Sequence, residues 1–192
     1  MLCKFFVCVF PVLPGWYDLL LMGHIGPTVG PTAETYVPRA STPLLDAMGR
    51  GINDLDSQLA AMDTTDRPER IVFVVVTDGH ENASREFSRA DILRMVEQHK
   101  ARGWQFVFLG ADLIGFDEAR RFGLDDDVRL CYRKDERGVR MALSTLADKV
   151  MDYRAKRVSR VVFDEADRAA QDEFDDPKRC VAASSVAKPP QV

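Results

Sequence analysis

The stretch that decides the fold is IVFVVVTDGHENAS, residues 71–84. Its first six residues are apolar and rich in β-branched side chains. Such a run is typical of a central strand in a parallel sheet that is covered on both faces. Asp78 follows almost at once, and ligands of open parallel sheets bind just beyond the carboxyl ends of the strands. An ionised carboxylate there needs solvent, hydrogen-bond donors or a cation, so Asp78 is a candidate site residue.

Helix and strand patterns alternate on both sides of this strand. Residues 41–62 have apolar side chains at helical spacing, and Thr42-Pro43 combines a hydroxyl N-cap with proline at the first helical position. Further helices are predicted over 88–102, about 116–122 and 139–157, and further strands over 104–110 and 128–132. The alternation predicts an α/β fold, a doubly wound Rossmann-like parallel sheet flanked by helices.

The chain divides into three segments. Residues 1–38 are rich in Gly and Pro and are predicted to be irregular, although residues 4–10 could form a strand or a helix. Residues 39–160 form the α/β domain. Residues 161–192 are charged and are predicted to be a disordered tail.

Composition limits the functions that the chain can have. The 192 residues are 46% apolar and 29% charged, with a net charge of −4, which predicts one globular domain and no nucleic-acid partner. The apolar N-terminus is too short for a membrane-spanning helix. Four cysteines without metal-site spacing indicate idle thiols in a reducing compartment, hence a cytoplasmic location: Cys3, Cys8, Cys131 and Cys180. Secretion is the alternative, and Asn82-Ala83-Ser84 would then be a glycosylation sequon.

Thr42 and Asp78 are the candidate metal ligands. Helix N-termini and strand carboxyl ends meet at one edge of a right-handed βαβ unit. A hydroxyl and a carboxylate from adjacent loops are hard oxygen ligands, which suit Mg²⁺ or Mn²⁺ rather than zinc. The alternative interpretations are that Thr42 only caps its helix and that Asp78-Gly79 only forms a turn.

RASTPLLDAMGRGI, residues 39–52, followed by IVFVVVTDGHEN, residues 71–82, resembles the von Willebrand factor A (vWA) domain. Proteins of that family carry a metal-ion-dependent adhesion site built from three loops. The resemblance places the threonine of the second loop at Thr42 and the aspartate of the third loop at Asp78. Ser41, Gly79 and Glu81 are possible supporting residues behind these ligands, with Glu81 expected to be exposed.

The first loop of the family's site has no counterpart in this sequence. The family uses Asp-x-Ser-x-Ser there, and that pattern does not occur in the 192 residues. Asp18 is the sole aspartate before Thr42, and Leu19 to Leu21 follow it without a serine. The resemblance therefore implies a vWA-like domain that is truncated or divergent at its N-terminus.

The function implied is a non-catalytic protein-interaction module. In the family, a partner's acidic residue completes the coordination of the bound metal. No nucleophile–base pair or phosphate-binding loop is recognisable in the sequence, which argues against an enzyme. The alternatives are a degenerate vWA fragment that binds no metal and a metal-dependent phosphohydrolase. An incomplete sheet would also expose an edge, which favours a protein partner or self-association.

Overall fold

The computed structural model describes residues 5–11, 20–22, 43–77, 81–111 and 119–172, with the backbone alone described for 5–11 and 20–22. The strands are β1 (Phe5–Pro11), β2 (Leu20–Met22), β3 (Ile71–Thr77), β4 (Gln105–Ala111) and β5 (Arg129–Tyr132). The helices are α1 (Leu44–Ala61), α2 (Arg89–Ala101), α3 (Glu136–Arg154) and α4 (Glu165–Asp172). Residues 119–121 are also helical, and Asp126–Val128 is a 3-10 turn.

The strands form one sheet in the order β2-β1-β3-β4-β5. β3, β4 and β5 are parallel, as predicted, and helices flank them. β1 pairs antiparallel with both β2 and β3. The two N-terminal strands lie within residues 1–38, which were predicted to be irregular because Pro and Gly interrupt the apolar run, apart from a strand or helix allowed over residues 4–10. The sheet is therefore mixed, with a parallel half and an antiparallel half.

Helices cover both faces of the parallel half, so the predicted central strand is confirmed. All seven residues of β3 are buried. Phe73 and Val75 face α1 and α2, whereas Val74 and Val76 face α3. This division follows from the alternation of side chains along a strand.

The ends of α2 agree with the sequence prediction. The Ser88 hydroxyl accepts from the Asp91 N–H, and the Asp91 carboxylate accepts from the Ser88 N–H, which together make a capping box. Gly103 follows the helix with φ of +90°, a conformation that glycine adopts without strain. Farther along α2, the Nε2 of His99 lies 2.7 Å from the carboxylate of Asp56 and joins α2 to α1.

The inward face of α3 differs from the prediction at one residue. The spacing of apolar residues over 139–157 predicts that Leu143 lies on the same side as Leu146 and Val150, but Leu143 is 44% exposed, and Ala142 is buried in its place. The helix also begins three residues earlier than expected, where the Asp135 carboxylate accepts from the Gly138 N–H at 2.7 Å. The earlier start follows from this cap, which the prediction did not include.

The folded domain extends beyond residue 160, so the expected disordered tail does not describe residues 161–172. Val161 and Phe163 are buried in the core beneath α3, and α4 follows them. Lys149 of α3 forms ion pairs with Asp164 and Asp167. The Arg168 guanidinium donates to the carbonyls of Arg129, Asp126 and Phe163. The rest of the predicted tail, 173–192, lies outside the described residues.

Among the described helices, none is both long enough and apolar enough to cross a membrane.

Candidate functional site

Four of the five predicted site residues lie outside the described part of the chain: Ser41, Thr42, Asp78 and Gly79. Glu81 is described, and so are Pro43 and Thr77, which directly adjoin the two candidate ligands. The structure therefore defines the segments that flank these ligands, not the ligand atoms themselves.

The two flanking segments meet at the carboxyl edge of the parallel strands. The Leu45 N–H, in the first turn of α1, donates to Glu81 Oε2 at 2.9 Å. The next N–H of that turn, from Asp46, donates to Ser84 Oγ at 3.1 Å. These bonds satisfy donors that the first turn of a helix leaves without an intrahelical partner.

Glu81 is half-buried rather than exposed as expected, and both of its carboxylate oxygens are engaged. Oε1 accepts from the N–H groups of Ala83 and Ser84 at 3.0 and 2.8 Å. Oε2 accepts from the Leu45 N–H and from the Ser84 hydroxyl, the latter at 2.7 Å. With its acceptors used in this way, Glu81 is suited to holding the loop in place rather than to binding a metal directly.

The hydrogen bonds to Glu81 keep it ionised. Burial of the Glu81 carboxyl would raise its pKa, but the bonds from Ser84, Leu45 and Ala83 outweigh burial and hold that pKa below its usual range. A carboxylate that accepts several N–H groups is stabilised in its charged form.

Asp46 makes the reciprocal contacts, although it is not among the site residues predicted from the sequence. Its carboxylate accepts from the N–H groups of Arg85, Glu86 and Phe87 at 2.9, 2.9 and 3.0 Å. Burial would raise the pKa of Asp46, but these three backbone donors outweigh it and lower that pKa. An acidic residue in the first turn of a helix can be recognised from the sequence, because its negative charge interacts favourably with the positive end of the helix dipole. The loop that donates to Asp46 lies about forty residues away in the sequence, so no neighbouring residue indicates this contact.

Packing adds to this contact. A Cβ built on Gly49 would lie 2.6 Å from the Phe87 ring, so α1 accepts that ring only because residue 49 has no side chain. Arg50 and Glu86 form an exposed ion pair at 2.5 Å beside it. We call the side chains of Asp46, Glu81 and Ser84, with the backbone groups that donate to them, the α1 clamp.

The ends of β3 and β5 lie at the same edge of the sheet and are hydrogen-bonded to each other. Thr77 is fully buried, and its carbonyl accepts from the Tyr132 hydroxyl at 3.1 Å, which links the end of β3 to the end of β5. β1 runs the opposite way, with Phe5 opposite Thr77 and Pro11 opposite Ile71. β1 therefore ends at the edge of the sheet away from Thr77.

A metal site would depend on residues outside the described ranges. Across residues 43–77, 81–111 and 119–172, no group of three or more His, Cys, Asp or Glu side chains could hold a metal ion. The carboxylates nearest the edge, Asp46 and Glu81, are occupied by N–H donors. Thr42 and Asp78, the two candidate ligands predicted from the sequence, lie outside these ranges.

Comparisons with protein families, with curated proteins and with solved structures found no match to this chain.

Proposed function

We propose that this chain is a non-catalytic protein-interaction module of vWA type. In this proposal, Thr42 and Asp78 bind Mg²⁺ or Mn²⁺ at the carboxyl edge of the parallel strands. An acidic side chain of a protein partner completes the coordination. Ser41, Gly79 and Glu81 support the two ligands.

The hydrogen bond between Leu45 and Glu81 is the observation that carries the proposal. It joins the segment that follows Thr42 to the segment that follows Asp78. Thr42 precedes Leu45 by three residues, and Asp78 precedes Glu81 by three. Three residues of extended chain span at most about 11 Å, so both candidate ligands are tethered close to the same contact.

The chemistry of the two side chains fits a weak, open cation site. A threonine hydroxyl and an aspartate carboxylate are hard oxygen ligands, and Mg²⁺ commonly keeps several coordination positions for water or other ligands. Two protein ligands would leave room for a partner's carboxylate. Recognition would then depend on the cation and on the charge of the partner.

Titration calorimetry with Mn²⁺ tests the proposal. We expect weak binding by the wild type and none by Asp78→Ala, with Thr42→Ala weakened. Asp66→Ala removes an exposed carboxylate in the turn after α1 and is the matched control, which should bind as the wild type does. A wild type that gives no heat of binding above dilution would contradict the metal site.

A degenerate vWA domain that binds its partner without metal is the second candidate. The antiparallel direction of β1 favours it, because β1, the neighbour of β3 on this side of the sheet, ends at the edge away from Thr77. Partner capture that persists in a chelator and survives Asp78→Ala would support this candidate over the first.

We also propose a cytoplasmic location and self-association through the sheet. β2 is the outermost strand on its side of the described sheet, and an edge strand can template pairing with another chain. Light scattering after size exclusion should show a mass that rises with concentration. A constant monomer mass would reject self-association.

Fractionation of cells that express the chain tests the proposed cytoplasmic location.

A further inference from the structure

We propose that α4 is a lid over the outer edge of β5, and that it opens while the rest of the domain stays folded. β5 is the last strand on its side of the described sheet, and α4 packs beside it and beside α3. The residues of the lid are neither candidate metal ligands nor part of the α1 clamp, so its role is independent of the proposed function. Opening would expose the edge of β5, and strand edges are the parts of a sheet that pair with other chains.

Polar contacts hold α4 against the domain. Its sequence, EADRAAQD, has alanine as its only apolar residue type, so α4 adds no large apolar side chain to the core. The Arg168 guanidinium donates to the Arg129 carbonyl of β5 at 2.9 Å, and Lys149 of α3 pairs with Asp167 at 2.7 Å. Most helices of a folded domain are stabilised by packing of an apolar face. The docking of α4 lacks that contribution.

Gln171 makes the docked position of α4 less favourable. It lies one turn beyond Asp167 and Arg168, hence on the same side of the helix, and it is only 5% exposed. Among residues 43–77, 81–111 and 119–172, neither the nitrogen nor the oxygen of its side-chain amide has a hydrogen-bond partner. A buried amide that gives up its hydrogen bonds to water without replacing them destabilises the state in which it is buried. Because water can solvate the amide again when α4 undocks, Gln171 favours the open position.

The chain is anchored directly before α4. Phe163 is buried in the core beneath α3, and its N–H donates to the Asp127 carbonyl at 2.7 Å. Asp164, which is exposed, separates Phe163 from the first residue of α4. α4 can therefore leave the edge of the sheet by rotation of the backbone near Asp164, with the core contacts of Phe163 intact.

Hydrogen exchange of the wild type and of Gln171→Met tests the lid, because exchange reports local opening. Methionine has a flexible side chain similar in length to that of glutamine but without the amide. We expect the backbone amides of Ala169 and Ala170, inside α4, to exchange about tenfold more slowly in Gln171→Met than in the wild type. Gln98→Met replaces an exposed glutamine of α2 and is the matched control, which should leave exchange in α4 unchanged. If Gln171→Met does not fold by circular dichroism, Gln171→Leu takes its place with the same expectation.

A second measurement needs no variant. In the wild type, the amides of α4 should exchange about a hundredfold faster than those of Val74 and Val75 in β3, since local opening costs less free energy than unfolding of the core. A high concentration of KCl should increase exchange in α4 further, because salt screens the partly exposed ion pair of Lys149 with Asp167.

Three results would overturn the lid. Equal exchange in α4 and β3 of the wild type would mean that α4 opens only when the whole domain unfolds. Unchanged or faster exchange of α4 in Gln171→Met would mean that the amide does not disfavour docking. The same slowing in Gln98→Met would mean that the effect is a general result of adding methionine.

Discussion

The backbone N–H of Leu45 donates to the carboxylate of Glu81 at 2.9 Å, across 36 residues of sequence. The first turn of α1 is thus capped by a side chain from another part of the chain. Pro43, at the N-cap position, makes no side-chain cap. The start of this helix therefore depends on the tertiary structure as well as on its own sequence.

Replacing Glu81 by glutamine should destabilise the protein. Glutamine keeps the size of the side chain but loses the charge and replaces one acceptor oxygen by an N–H₂ donor, which would face the N–H donors around it. We expect a loss of about 1–2 kcal/mol in the free energy of unfolding, measured by urea denaturation. Glu97→Gln changes an exposed glutamate of α2 and should leave the urea midpoint unaltered. Equal midpoints for the two variants would contradict the role of Glu81.

The clamp should also make stability sensitive to acid. Asp46 and Glu81 have lowered pKa values in the folded protein. Their contribution is therefore complete above the unfolded pKa values, about 3.9 for Asp and 4.3 for Glu, and is lost as pH falls through the lower folded values. We expect the difference in urea midpoint between the wild type and Asp46→Asn/Glu81→Gln to be constant from pH 7 to 5. Below pH 4 it should shrink, and a difference that grew there would refute the assignment.

Whether Gly49→Ala stabilises or destabilises the protein should depend on the side chain of Phe87. Alanine favours a helix over glycine by about 1 kcal/mol, but a Cβ at residue 49 would overlap the Phe87 ring, and overpacking costs about 1–3 kcal/mol. We expect Gly49→Ala to be destabilising in the wild type. In the Phe87→Ala background the same change should be stabilising. Thermal unfolding of the four proteins measures the coupling, and additive effects would show that the ring moves aside at little cost.

Arg168 should protect the edge of the sheet at β5. Its guanidinium donates to the carbonyl oxygens of Arg129, Asp126 and Phe163 at 2.9, 2.7 and 3.3 Å. Lysine cannot make the same set of hydrogen bonds as the planar guanidinium. We therefore expect Arg168→Lys to lower the free energy of unfolding by about 1–2 kcal/mol and to increase aggregation on heating. Arg140→Lys alters a surface ion pair with Glu136 and is the control. If Arg168→Lys had the same urea midpoint and the same light scattering on heating as Arg140→Lys, Arg168 would not protect this edge of the sheet.

The elements of the fold that could be predicted are those marked by residues close together in the sequence. The six apolar residues before Thr77 fix a central strand, and Ser88, Asp91 and Gly103 mark the ends of α2 within a few positions of sequence. These signals suffice because a buried strand or a capped helix makes most of its defining contacts within itself or on both of its faces.

The parts that were missed depend on distant partners. β1 pairs with β3, which is more than sixty residues away for most of its length, and its own sequence ends in proline. Val161 and Phe163 belong to a run of three apolar residues in a charged stretch, which is too short to show a helical or strand period that would reveal their burial. Asp46 was recognisable as a helix-start acid, but its three donors lie in another loop. For the candidate site, the sequence predicts which segments take part, whereas the structure shows that the two flanking segments are joined between Leu45 and Glu81.

The antiparallel pairing of β1 has a consequence for synthesis on the ribosome. β1 can pair with β2 as soon as both have emerged, but its other neighbour, β3, begins only at Ile71. At about 5–20 residues per second, the segment between them takes on the order of 3–12 s to make. During that interval the nascent chain carries a strand with one side unpaired, which is a target for chaperones and for neighbouring chains. The separation of β1 and β3 along the chain thus sets the earliest moment at which the two halves of the sheet can join.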